Sequence, residues 1–237
     1  MIMKKILISI LLIMAVSLTL GAQVTRHEIQ LGNFTRFALV DDINVVCCCN
    51  PDSAGMAVVE CTPEVLQGLI FRINNSGRLT LQLDDIIEKQ GNLPTLTLYA
   101  ASLDEIENAG DSVLRVSGLP PLKSFKARLI DNGKIILRDV HASKLELQIL
   151  SGKGKLIADG KCDDLSLKLV GTGEIQADKV EATNVSCRIM GTGVIGCNVL
   201  GGTLKVNGSG TGKVYYKGKP SKVTVHKLGT IKAIPMD

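Results

Sequence analysis

Apolar and polar residues alternate in short runs, and through the second half of the chain the alternation recurs with a period of about 20 residues. The copies begin Phe125-Lys-Ala127-Arg-Leu129, Leu145-Glu-Leu147-Gln-Ile149, Leu165-Ser-Leu167-Lys-Leu169, Val185-Ser-Cys187-Arg-Ile189 and Leu204-Lys-Val206-Asn-Gly208. Each is followed by a glycine turn and a second alternating run, such as Gly171-Thr-Gly173 and then Glu174-Ile-Gln-Ala177. Side chains two apart share one face of a strand. The pattern therefore predicts an all-β fold, a parallel β-helix or β-solenoid whose coils hold about 20 residues.

One apolar set must line the interior. The predicted inward columns are Phe125/Leu145/Leu165/Val185/Leu204, Ala127/Leu147/Leu167/Cys187/Val206, Leu129/Ile149/Leu169/Ile189 and Ile135/Leu156/Ile175/Ile195/Val214. Stacked coils lie about 4.8 Å apart, so equivalent residues touch above and below. The recurring Gly133, Gly154, Gly173, Gly193 and Gly212 are expected to turn the chain with positive φ. No helix follows these Gly-X-Gly turns, which argues against a phosphate-binding loop.

The first half alternates less regularly. Phe34 to Cys49, Ala57 to Cys61, Leu69 to Ile73, Leu79 to Leu83 and Leu93 to Tyr99 are predicted strands, with one short helix after Thr62-Pro63. Before them, Lys4 and Lys5 precede an apolar run from Ile6 to Leu20, and Leu20-Gly21-Ala22 offers a cleavage site. Residues 1–22 are thus expected to be a signal peptide. Residues 23–237 are expected to be one solenoid domain, less regular over 23–110 and regular over 111–237. The run is shorter than the roughly 20 residues a membrane-spanning helix needs, so no membrane anchor is expected after cleavage.

The formal charge is +4, or +2 without Lys4 and Lys5. That near-neutral total gives no electrostatic case for nucleic acid. The chain has seven cysteines, and export invites a disulfide reading. The repeat register instead places Cys187 with Leu147 and Leu167, Cys197 with Ala158 and Ala177, and Cys162 with Ala142 and Ala182. Those positions suit small buried thiols. Among Cys47, Cys48 and Cys49, Cys48 must face opposite to its neighbours, and Cys61 is a possible partner for one of them.

Candidate chemistry is sparse. Asp139, Asp159 and Asp178 share a repeat position with Asn198, which allows two readings. Stacked carboxylates can hold a cation such as calcium; alternatively each Asp closes its own turn by accepting a backbone N–H. The absence of a calcium-binding nonapeptide pattern favours the turn reading. His27, His141 and His226 fall on separate segments, and no serine-nucleophile motif is present. Sugar-binding surfaces commonly use aromatic platforms, yet the chain has no Trp, three Tyr and four Phe. Tyr215 and Tyr216 are adjacent, so one must face out, and Tyr215 is the candidate contact.

Several segments together resemble the putative autotransporter adhesin, head GIN domain family, a domain family of unknown function found in exported Bacteroidetes proteins. They are Phe34-Thr-Arg-Phe37, Asp42-Ile-Asn-Val45, Thr62-Pro-Glu-Val-Leu66, Leu93-Pro-Thr-Leu-Thr-Leu98, the Gly-Thr-Gly turns and Val214-Tyr-Tyr-Lys-Gly-Lys-Pro220. The resemblance implies a right-handed β-helix and a periplasmic, cell-surface or secreted setting, and it brings no established site. The expectation is a non-enzymatic adhesion or interaction module of the cell envelope, without a cofactor. Its partner would be a surface protein or glycan, and the solenoid ends are a possible route to self-association. The alternative is an envelope carbohydrate-active enzyme, which the β-helix scaffold alone cannot assign.

Overall fold

The structure, a computed structural model, describes residues 23–236. The expected signal peptide lies outside them. Two sheet faces run the length of a stack of coils. On the first face the parallel order is β6 (Arg78–Leu83), β2 (Arg36–Leu39), β8 (Glu105–Asn108), β10 (Leu122–Leu129), the second halves of β11 (Lys134–Ile149), β12 (Lys155–Gly171) and β13 (Glu174–Gly191), then β15 (Thr203–Gly210) and β17 (Lys222–Gly229). On the second face it is β7 (Leu96–Ala100), β3 (Val45–Cys49), β9 (Val113–Ser117), the first halves of β11, β12 and β13, then β14 (Val194–Leu200), β16 (Lys213–Lys219) and β18 (Lys232–Pro235). A short third face joins them, where Ala142, Cys162, Ala182 and Val199 stack inward. The all-β solenoid expected from the alternation is the observed fold.

The predicted columns are the core. Phe125, Leu145, Leu165, Val185 and Leu204 pair in register, as do Ala127, Leu147, Leu167, Cys187 and Val206, and all are buried. Burying a large aliphatic side chain contributes about 1.5–3 kcal/mol, and one coil alone cannot cover both of its faces. Cys162, Cys187 and Cys197 occupy the small apolar positions expected of them. All seven cysteines are free, including Cys61 and the Cys47–Cys49 run.

The glycine expectation needs correcting. Positive φ falls on the first glycine of each turn, Gly171 at 111° and Gly191 at 128°, not on Gly173 or Gly193. The second glycine answers a packing constraint. A Cβ on Gly193 would lie 2.5 Å from both the Gly173 carbonyl oxygen and Leu169 Cδ2. Stacked coils approach so closely at this corner that only a residue without a side chain fits.

The first half departs further from its expected layout. The run from Phe34 to Cys49 is two strands, β2 and β3, separated by a corner where Leu83 N–H donates to Asp41. The coil they form does not stack next to its successor in sequence. It sits between the β6–β7 coil and the β8–β9 coil. Beyond β6 and β7 the stack is closed by antiparallel strands: β5 (Leu69–Ile73) on β6, β4 (Met56–Cys61) on β7, and β1 (Thr25–Gln30) on β4. Helix α1 (Pro63–Gln67) starts at the predicted proline. Helix α2 (Asp85–Glu88), absent from the sequence reading, is capped by Asp84, whose side chain accepts the Ile86 N–H at 3.0 Å. Asn108 interrupts an inward column. It is fully buried, donates to the Ser112 carbonyl at 2.9 Å and accepts from Gly110 N–H, so its burial leaves no lost hydrogen bond.

Candidate functional site: a cationic face on the C-terminal coils

Outward positions on the first face form columns like those inside. One runs Lys126, Glu146, Ser166, Ser186, Lys205, Thr224, and the next Arg128, Gln148, Lys168, Arg188, Asn207, His226. At the N-terminal end of these columns, charge is cancelled. Arg128 pairs with Glu105, and with Glu107 at 2.9 Å. Arg78 reaches the same two carboxylates at 3.5 and 3.2 Å. Glu146 lies 2.9 Å from Lys144 and 3.6 Å from Lys126. The hydrogen bond from Lys144, then the charges of both lysines, hold its carboxyl below the usual range against a burial penalty.

From Ser166 onward the same columns carry no carboxylate, and among the described residues Lys168, Arg188 and Lys205 have no ion-pair partner. Gln148, Ser166, Lys168, Ser186, Arg188 and Asn207 line a cavity of about 350 Å³ open to solvent. Two acids stand at the margin, and both are engaged: Glu146 accepts from Gln148 at 3.4 Å and pairs with Lys144, and Asp164 accepts from Asn184 at 3.1 Å. A third outward column is apolar, with Val170, Met190 and Leu228 in register around Ser209, and Leu228 is largely exposed. The site therefore offers fixed cations flanked by hydroxyl and amide groups on a rigid sheet. Such a surface can bind an anion that also bears hydroxyls.

The signal for this site was present in the sequence as charge distribution. Between residues 182 and 236 there are eight Lys or Arg and no Asp or Glu. The whole-chain total of +4 conceals that segregation.

The residues singled out earlier lie elsewhere. Tyr215 is half-buried on β16, on the second face, between Gly196 and Ile234, while its neighbour Tyr216 packs against the core. The structure does not bring Tyr215 to the cationic columns. Asp139, Asp159 and Asp178 fall out of step because the pairing shifts register between Leu137 and Val140 and between Ile157 and Asp159. Asp159 accepts from the Asp139 N–H and from Arg138, both at 2.6 Å, so it ties down the preceding coil rather than its own turn. Burial opposes its ionisation, but these two bonds and the charges of Arg138 and Lys179 outweigh it, and its carboxyl stays below the ordinary range. Asp178 pairs with Lys217 at 2.8 Å. Asp139 points to solvent and meets His141 at 2.9 Å. No cluster of three or more His, Cys, Asp or Glu among the described residues is arranged to hold a metal ion.

The third face carries a wider, shallow cavity of about 440 Å³, lined among others by His141, Ser143, Lys161, Cys162, Asp163 and Glu181. Its polar groups are spoken for: His141 by Asp139, and Lys161 by Glu181 at 3.1 Å. No hydrogen bond joins Ser143 to His141 among the described residues, and burial with nearby Asp163 and Asp164 pushes the Cys162 thiol up to about 12. A thiol so protonated is a poor nucleophile.

Among the described residues no helix is long and apolar enough to cross a membrane. No curated protein matches the chain significantly. Solved structures do. A putative adhesin from Bacteroides fragilis NCTC 9343 is 17% identical with a TM-score of 0.81, over 90% of this chain and 97% of that one. A putative lipid binding protein from Parabacteroides distasonis ATCC 8503 is also 17% identical, with a TM-score of 0.70 over 92% and 98%. A putative adhesin from Parabacteroides merdae ATCC 43184 is 15% identical, with a TM-score of 0.64 over 92% and 98%. At these identities the likeness is one of fold. The family description "putative auto-transporter adhesin, head GIN domain" matches residues 33–220, which span both the threaded first coil and the regular stack, and the chain belongs to that family.

Proposed function

We propose that the protein is an exported, non-catalytic adhesion module of the cell envelope, and that it binds an anionic glycan chain along the C-terminal part of its first face. One observation carries this reading: from Ser166 onward the columns through Lys168, Arg188 and Lys205 hold cations without partners beside Ser166, Ser186 and Asn207, and no carboxylate. Hydroxyls and amides satisfy sugar hydroxyls, while the cations select for sulfate, phosphate or uronate groups. Adjacent coils repeat this set about every 4.8 Å, so an extended chain meets equivalent groups along its length. The open cavity on this face has polar walls rather than the apolar enclosure an acyl chain requires.

The supporting family and fold carry adhesin labels, and one structural neighbour is labelled lipid binding. The test therefore presents three probes to the secreted protein: a sulfated polysaccharide, its desulfated form, and vesicles of anionic phospholipid. Saturable binding of the sulfated chain, weakened by salt and lost on desulfation, is the expected result. Binding to vesicles alone overturns the glycan reading in favour of a lipid surface. Time-dependent cleavage of the polysaccharide would make the protein an enzyme.

A further inference from the structure

We infer that copies of this chain assemble head to tail, the open C-terminal end of one seating on the N-terminal end of the next. The inference goes beyond the glycan reading and rests on different residues. Three features of the two ends support it.

The first is an inward column that stays unfinished at both limits. Ile73, Leu79, Phe37, Ile106, Ala127, Leu147, Leu167, Cys187, Val206 and Val225 succeed one another in register along the whole stack. Every member is buried except the two terminal ones, Ile73 at 39% and Val225 at 38% exposure. Val223, which continues the Phe125 column, is 41% exposed. A second copy placed on the same axis shields both of these ends from water.

The second feature is the placement of the free strand edges. Among the described residues β17 pairs only with β15 and β18 only with β16, leaving one open edge on each face. At the other end β5 pairs only with β6 on the first face, and β1 only with β4 on the second. The second face carries two strands beyond β7 and the first only one beyond β6, so coaxial stacking brings β18 to the next copy's β1, with β17 and β5 facing each other across a step one strand wide. Because β1 and β4 each reverse direction, β1 meets β18 parallel. A parallel β18–β1 contact is an ordinary ladder geometry, and exposed edges of this kind template pairing with another chain.

The third feature is charge. Lys222, Lys227 and Lys232 lie on the two open C-terminal strands, with no carboxylate among the described residues after Glu181. The elements at the N-terminal end expose Glu28, Glu60, Glu64, Asp84, Asp85 and Glu88 against Arg26, Arg72 and Lys89, which leaves that end net negative. Opposite ends attract and like ends repel, which favours head-to-tail contact over two-fold pairing. A contact between unlike surfaces does not close on itself and grows into a linear array.

Sedimentation velocity on the secreted protein tests this. The mean mass should rise with concentration past that of a dimer, and more so at low salt. Val225→Lys blocks one end and Ile73→Lys the other; each alone should stay monomeric, and a mixture of the two should stop at a heterodimer through the one remaining pair of intact ends. Lys222→Glu with Lys227→Glu provides a solvent-exposed second block should either apolar variant fail to fold, as judged by circular dichroism, and should also reduce association. A wild-type protein that sediments as a monomer at every concentration overturns the proposal. So does growth that halts at a dimer, or a blocked variant that assembles like wild type.

Discussion

The two ends of this solenoid solve the same problem differently. At the N-terminal end antiparallel β4, β1 and β5, with α1 and α2, lie beyond the last parallel coil, and the Arg78–Arg128–Glu105–Glu107 network neutralises the outer face beside it. At the C-terminal end no antiparallel strand covers β17 or β18 among the described residues. The remaining devices there are small ones: Gly208 leaves a gap in the Leu129 column, and Ile231, fully buried, fills it from the following turn. Lys222 and Lys227 on β17 disfavour pairing with a second C-terminal edge while leaving the end open to an acidic one. Stability is thus concentrated in the stack and its cap, while unpaired charge and unpaired edges accumulate where packing is least complete.

The largest effect that sharpens this contrast comes from truncating one column at two places. Leu167→Ala, inside the stack, should lower the free energy of unfolding by about 2–5 kcal/mol. Val225→Ala, at the end of the same column, should cost less than about 1 kcal/mol because neither its contacts nor its burial are complete. Urea denaturation measures both. Equal losses would mean that the terminal coil is as well packed as the interior.

A smaller difference is expected between two arginines of one outward column. Arg128→Ala strips two carboxylates of a partner in a network whose side chains are about a fifth exposed, and should cost about 1 kcal/mol. Arg188→Ala should stay within about 0.5 kcal/mol of wild type in stability and lose affinity for the sulfated polysaccharide instead. Stability loss at Arg188 comparable with that at Arg128 would show that the C-terminal face is held by charge in the same way.

Acid gives a weaker handle. The Glu146 carboxyl is held below its usual value in the folded protein, so its contribution is fully present above the ordinary carboxylate pKa of about 4.3 and disappears as pH falls through the depressed folded value. Melting temperature should be flat from neutral pH down to about 5 and fall below about 4, and Glu146→Gln should make that fall shallower. An unchanged acid slope in the variant removes Glu146 from the account.

The regular coils were legible in the sequence because their period and their strand alternation agree, which fixes both the stacking and which side chains point inward. Cys187 and Cys162 could be assigned to the interior by register alone. The first half was not legible to that depth. The β2–β3 coil is threaded between later coils, so its pairing partners are not its neighbours in sequence, and the polar Asn108 occupies an inward column. Equivalence along the chain also failed at the corners. Asp139, Asp159 and Asp178 match in the repeat but part in space, since a shift of one residue at each bulge changes what every side chain faces. The cationic face was overlooked for a different reason: its evidence is the run without carboxylates after Glu181, which a whole-chain charge averages away.

The central claim is that the C-terminal part of the first face is the binding surface. The most direct test is isothermal titration of the sulfated polysaccharide into wild type, Lys168→Glu with Arg188→Glu, and a control, Lys89→Glu with Lys153→Glu, that changes net charge equally away from the site. The account predicts at least a tenfold loss of affinity, about 1.4 kcal/mol, in the first variant and a change of under threefold in the control. Equal losses in both variants would reduce the interaction to net charge, and undiminished binding in the first would place the binding surface elsewhere on the molecule.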